Sequence, residues 1–190
     1  MRMKQILVII SLVVVLLGIP GCNKLENLSN SGSKLICIGI TGTNLEGETG
    51  STTIFSDVIT SSGSIINDTG TVELTAVLLD PAQTESTFYQ DVIVDQIDVE
   101  YSRSDMANAR EGVDVPFSFS QKVYAQVTIG ETIEVPFILV QHVAKLESPL
   151  VELINYGQEK VLKLEAKCTI HSIDVGVNRL AQVVGYVSGW

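Results

Sequence analysis

From Lys34 onward the apolar residues of this chain recur every second position rather than every third or fourth. Leu74, Ala76 and Leu78 alternate with Glu73, Thr75 and Val77, and Ile93, Ile97, Val99 and Tyr101 alternate with Gln96, Asp98 and Glu100. Val123, Ala125, Val127 and Ile129 oppose Lys122, Gln126 and Thr128, while Leu162, Leu164, Ala166, Cys168 and Ile170 oppose Lys163, Glu165, Lys167 and His171. Successive side chains of an extended strand point to opposite sides, so this period marks strands with one face buried and one wet. Several such runs separated by turn signals predict an all-β antiparallel sandwich or barrel.

The punctuation refines that prediction. Gly130-Glu131 separates the strands Lys122–Ile129 and Thr132–Gln141. A two-residue loop opening on glycine suits a type II′ hairpin turn. Asp114-Val115-Pro116-Phe117 and Glu134-Val135-Pro136-Phe137 repeat one pattern twenty residues apart. Proline removes a ladder donor, which assigns both places to a sheet edge or a bulge. Ser148-Pro149, followed by Leu150, Val151, Leu153 and Ile154 and closed by Tyr156-Gly157, predicts one short helical insertion near 148–154. The longest irregular stretches are Gly42–Thr53, Asp80–Tyr89 and Ser102–Val113. The last carries Arg103, Asp105, Asn108 and Arg110, and loops on a rigid sandwich are where a partner is most readily met.

A length of 190 residues suits one domain, and 45% hydrophobic against 18% charged residues supplies a core. The net charge of −10 excludes the basic footprint that a phosphate backbone needs, so nucleic acid is not an expected partner.

The first residues carry an address. Arg2 and Lys4 precede an apolar run from Ile6 to Leu17 broken only by Ser11. That run falls short of the about 20 residues that span a bilayer as a helix. A basic start, a short apolar stretch and a small residue before the cut describe an export signal. Ile19-Pro20-Gly21-Cys22 resembles a bacterial lipobox, although Pro20 is an unusual occupant of its middle. The resemblance implies cleavage between Gly21 and Cys22, a diacylglyceryl thioether on Cys22 and a further acyl chain on the new amino terminus. Two or more chains hold a protein on a membrane where one does not. Loss of Arg2 and Lys4 makes the mature chain more acidic still, so lipid rather than a charged face provides the anchorage. The expected organisation is therefore a signal peptide over 1–21, a lipidated cysteine and tether over 22–33, and one β-domain over 34–190. Asn23, where an aspartate would retain the protein at the inner membrane, resembles the outer-membrane sorting pattern of Gram-negative bacteria.

Catalytic and metal chemistry find few parts. Once Cys22 is lipidated, Cys37 and Cys168 remain, in a compartment that favours disulfides. Cys168 shares the inward face of Leu164 and Ile170, whereas alternation with Ile36, Ile38 and Ile40 turns Cys37 outward. A bridge needs β-carbons about 4 Å apart, so two separate thiols are expected unless Gly39 marks a bulge. There is no C-x-x-C, no G-x-S-x-G elbow and no phosphate-cradling loop, since the Ser/Gly stretch Ser61–Ser64 lacks a lysine and a following helix. His142 and His171 have no metal-spaced companion. Asp91, Asp95, Asp98 and Glu100 read as a solvated strand face rather than a calcium site. No catalytic residue, metal or cofactor is expected.

The segments YQDVIVDQIDVEYSRSD, GVDVPFSFS and HVAKLESPLVEL resemble those of uncharacterised bacterial lipoproteins with a predicted immunoglobulin-like sandwich. The resemblance implies that fold and an envelope location, and carries no activity or site residue. The expectation is a non-catalytic envelope module, of roughly seven to nine strands, that meets an unknown envelope protein through loops or edges. Two alternatives stand beside it. One is self-association through the proline-containing edges or the last strand, Gln182–Val187. The other is a small hydrolase or ligand carrier with a dispersed site.

Overall fold

The structure, a computed structural model, describes residues 31–43, 52–54, 57–156, 161–176, 179–180 and 182–189. The signal segment, Cys22, the tether up to residue 30, residue 157 and most of the stretch 42–53 lie outside them. Eight strands are described: β1 (Ser33–Thr43), β2 (Thr53–Ile54), β3 (Asp68–Leu78), β4 (Val92–Ser102), β5 (Phe119–Val127), β6 (Thr132–Val140), β7 (Leu164–Asp174) and β8 (Val183–Gly189). A short helix, α1 (Leu150–Tyr156), follows a 3-10 turn at Ala144–Leu146, which places the predicted insertion two residues late.

Two sheets face each other, one in the order β1-β3-β6 and the other β2-β8-β7-β4-β5. All pairings are antiparallel except the two-residue contact of β2 with β8. The architecture is an immunoglobulin-like β-sandwich, as the alternation demands. Its core is the set of inward positions: Val72, Leu74 and Ala76 from β3, Ile97 and Val99 from β4, and Leu164, Ala166, Cys168 and Ile170 from β7. Tyr101 of β4 reaches across the gap and its hydroxyl donates to the carbonyl of Leu139 in β6 (2.6 Å).

Three details depart from the sequence reading. The Gly130-Glu131 loop is not a hairpin, because β5 pairs with β4 and β6 pairs with β3. The Glu131 N–H donates to Thr128 O (3.0 Å), which makes Ile129 and Gly130 the central turn residues, and Gly130 has φ +83°. Positive φ at the second central position belongs to a type II turn, whose twist splays the flanking strands instead of pairing them. The chain therefore changes sheet here, with Gly130 N–H donating to Ala76 O (2.8 Å) on the way.

The other two departures are bulges. In β1 the pairing with β3 shifts between Cys37 and Gly39, which leaves Ile38 unmatched and exposed. One extra residue reverses which side chains face inward. Leu35 and Ile40 are consequently buried, and Cys37 turns toward the core instead of away from it. In β4 both neighbours shift between Val94 and Gln96, so Val92 and Val94 are buried on one side of the bulge and Ile97 and Val99 on the other. Ile93 thus lies outside the buried set that the sequence assigns it to.

The lateral gaps between the sheets are closed by side chains. On one flank Gln121 of β5 donates to Ile138 O (2.8 Å) and accepts from Ile138 N–H (2.9 Å), imitating a strand partner for β6. Pro136 lies on that edge strand, as a missing donor requires, whereas Pro116 is buried in the loop before β5. On the other flank Ile40 packs so closely on Gly185 of β8 that a β-carbon there would stand 2.4 Å from Ile40 Cδ1.

Candidate functional site

Strand direction sorts the loops to two ends. Ser33 of β1 pairs with Leu78 at the end of β3, and Val92, where β4 begins, pairs with Asp174 at the end of β7. The chain therefore enters the sandwich at the same end as the loop 79–91. At the opposite end Ser102 closes β4 beside Glu165, and Thr43 closes β1 beside Thr69. The loop 103–118 leaves from that far end, about 33 Å away along an eleven-residue strand.

The far loop is built, not merely solvated. Arg103 grips Asp105 with two hydrogen bonds, Nε to Oδ1 (2.8 Å) and Nη2 to Oδ2 (2.6 Å). Arg110 donates its backbone N–H (3.0 Å) and Nε (3.3 Å) to Asp114 Oδ2. Arg110 O in turn accepts from Asp114 N–H (2.8 Å) and Val113 N–H (3.2 Å). Val115 and Pro116 plug this turn into the core, and Ser118 hydrogen-bonds Glu111. Gly112, at φ +72°, lies directly under the Phe117 ring, where a β-carbon would clash at 2.4 Å.

Electrostatics follow the contacts. The hydrogen bond to Asp105 pushes Arg103 up, and the same bond holds Asp105 below the ordinary carboxylate range. The Arg110 backbone N–H lowers Asp114, whose charge is also felt by Arg103. Of the four predicted loop residues, Arg103 and Asp105 are thus paired with each other, Arg110 is turned to Asp114, and Asn108 is exposed. Arg110 stays 73% exposed and is the most accessible guanidinium of the pair.

Neighbouring supports stiffen the same end. Lys145 is 2% exposed, and its Nζ binds Asp68 Oδ1 (2.7 Å) and Asp57 O (3.0 Å), tying the 57–68 segment to the turn before α1. His142 N–H donates to Asn67 Oδ1 (2.6 Å). The Lys145 ion pair escapes a sequence reading, since a lysine between Ala144 and Leu146 carries no periodic sign of burial.

A second polar group lies on the outer face of the larger sheet. Bulging of β4 brings Asp98 beside His171 of β7, with Nε2 to Oδ2 at 2.6 Å. Gln96 donates to Asp98 Oδ1 (2.6 Å), and Gln182 lies 3.2 Å from His171 Nδ1. Burial raises the Asp98 carboxyl, but hydrogen bonds from Ser120, Gln96 and His171 together bring it below its ordinary value. Both imidazole nitrogens are engaged, and Ser120 addresses the carboxylate instead of the ring. A nucleophile–base–orienter relay needs the hydroxyl on the imidazole. Beside it Lys167 meets Glu100 (2.8 Å) across the strands. Asp95 pairs loosely with Lys122 (3.7 Å), and Asp91 is buried and accepts from Gln126 Nε2 (2.9 Å). Among the described residues no group of three or more His, Cys, Asp or Glu is placed to hold a metal ion.

Among the described residues Cys37 and Cys168 are free thiols. Cys37 Sγ packs on Gly185, the β8 partner of Cys168, so the bulge brings both thiols toward one layer of the core. Burial raises Cys37, and burial together with Cys37 pushes Cys168 up to about 12, leaving neither as a thiolate at neutral pH.

Comparison of the chain with models of known protein families gives no match, and comparison with curated proteins gives none either.

Proposed function

We propose that this protein is a lipid-anchored, extracytoplasmic envelope module, without catalysis of its own, that binds another protein through the end of its sandwich remote from the anchor. The observation that carries this reading is directional. The chain segment leading from Cys22 enters at Ser33, while the Arg103–Asp114 loop leaves from the opposite end. A bilayer-held Cys22 then leaves that loop facing outward. The loop is preorganised by its own ion pairs and hydrogen bonds, which lowers the ordering cost of binding. Asn23 supports placement at the outer membrane.

Site-specific photocrosslinking in the native envelope tests the reading. A crosslinker replacing Asn108 should give a discrete adduct that Arg110→Glu weakens, while one replacing Tyr124 on the open face of β5 should give none. Equal adducts from both positions, or none from Asn108, would overturn it. Self-association through the β6 edge is less well supported, because Gln121 already occupies Ile138 there.

A further inference from the structure

The end of the sandwich at which the chain enters carries an apolar surface that neither the core nor the far loop uses. Phe88 and Tyr89 are 64% and 70% exposed, and their rings meet edge to face with centroids 6.2 Å apart. Leu79, 51% exposed, stands at the end of β3. Surface aromatics usually shelter against neighbouring side chains, because each buries a large apolar area when it can. These two instead are the first residues of the 3-10 turn Phe88–Gln90 that leads into β4.

Their position relative to the amino-terminal segment is fixed by hydrogen bonds. Ser33 Oγ donates to Gln90 O, the residue after Tyr89, and Leu79 N–H donates to Gly32 O (2.9 Å). Gly32 lies so close to Gln90 that a β-carbon on it would meet Nε2 at 2.9 Å. Gln90 is itself held by Gln83 and by Thr87, so the turn is rigid where the chain arrives. On the far side of the turn Gly176 N–H donates to Tyr89 O (3.3 Å) and Val175 N–H to Asp91 O (2.9 Å). Cys22 is separated from Ser31 by a stretch that reaches at most about 30 Å when fully extended.

We propose that Leu79, Phe88 and Tyr89 form a membrane-contact patch that seats the entry end of the sandwich on the bilayer to which Cys22 is acylated. The proposal rests on the anchored reading above and adds a second, protein-borne contact to it. Tyrosine is suited to the headgroup layer, where its ring lies among acyl chains and its hydroxyl stays wet. Exposed carboxylates at this end, Asp80, Glu85 and Glu131, disfavour anionic lipid, and Lys34 and Arg179 offset them only in part. The contact is therefore with the apolar boundary of a zwitterionic surface rather than with headgroup charge. Acylation confines the patch to the membrane's vicinity, so a weak contact suffices to hold one orientation.

Depth-dependent quenching tests it. The full chain, purified from membranes with Trp190→Phe, is reconstituted into phosphatidylcholine vesicles containing lipids brominated near the carbonyl end of the acyl chain. Tyr89→Trp places the reporter in the patch and Tyr124→Trp, at a position 77% exposed on β5, serves as control. Blue-shifted emission and marked loss of intensity from Tyr89→Trp, with neither from Tyr124→Trp, is the expected result. Equal quenching at the two positions, or none at either, overturns the patch, and capture of the aromatics by a protein instead would give that outcome. Intact mass reports separately on the anchor. A bare Cys22 overturns the anchored reading and the patch with it, whereas an acylated chain with an unquenched Tyr89→Trp overturns the patch alone.

Discussion

Tyr101 ties the two sheets together, and Lys145 ties the 57–68 segment to the turn before α1. The Tyr101 hydroxyl supplies the Leu139 carbonyl, which falls at the bulge of β6 between Ile138 and Val140 and has no partner in β3. Burial pushes the phenol well above its ordinary range, so it stays a donor at any working pH. Tyr101→Phe removes the donor and leaves a buried acceptor, and urea unfolding should report a loss of about 1–3 kcal/mol. An unchanged midpoint would show that the carbonyl is satisfied otherwise. Lys145→Ala withdraws the ammonium from a buried Asp68, for which about 3–5 kcal/mol is expected. Replacing Asp68 and Lys145 together by apolar residues should cost less than Lys145→Ala alone; a larger loss would contradict the pairing. Little of this was legible beforehand. Alternation identified Tyr101 as inward-facing, but neither a lysine in a turn nor a bulge-freed carbonyl leaves a mark on hydropathy.

At the scale of elements, the strands were legible and their partners were not. Every inward residue from Leu162 to Ile170 is buried as alternation requires, because β7 runs without a bulge. In the apolar run Ile36, Ile38, Ile40 the last is buried as read and the first two misled for a physical reason: a bulge inserts one residue, so inward positions before and after it differ in parity. Ile38 is apolar yet exposed, and Cys37 takes the inward place. The Gly130 turn misled in the same manner, since glycine marks positive φ without saying which central position it fills. The tight packing of β1 on β8 gives a prediction at this scale. Gly185→Ala should destabilise by about 1–3 kcal/mol through overpacking against Ile40, and Ile40→Val, which removes Cδ1, should restore part of it. Additive losses in the double variant would refute that contact.

Across the whole molecule, the hydrogen-bonded carboxylates predict how stability responds to acid. Asp98, Asp105 and Asp114 each have a folded-state value below the ordinary 3.8. A depressed carboxyl contributes stability that is present above its unfolded value and lost as pH falls through the folded one. Stability should therefore decline as pH drops below about 4, and Asp98→Asn should flatten that decline. A decline as steep in the variant as in the parent would remove Asp98 from the account. The larger design is polar: the chain enters at one end and a braced loop leaves from the other, an arrangement that the proposed acylation of Cys22 would turn into membrane side and partner side. Energy transfer from a dye at Asn108 to acceptor lipids, in vesicles carrying the acylated chain, tests this most directly. Transfer from Asn108 should be much weaker than from a dye at Thr84 beside the entry end, in keeping with a separation of about 33 Å along the strands. Equal transfer from the two positions would mean that the sandwich lies flat on the bilayer, with its loop not held away from it.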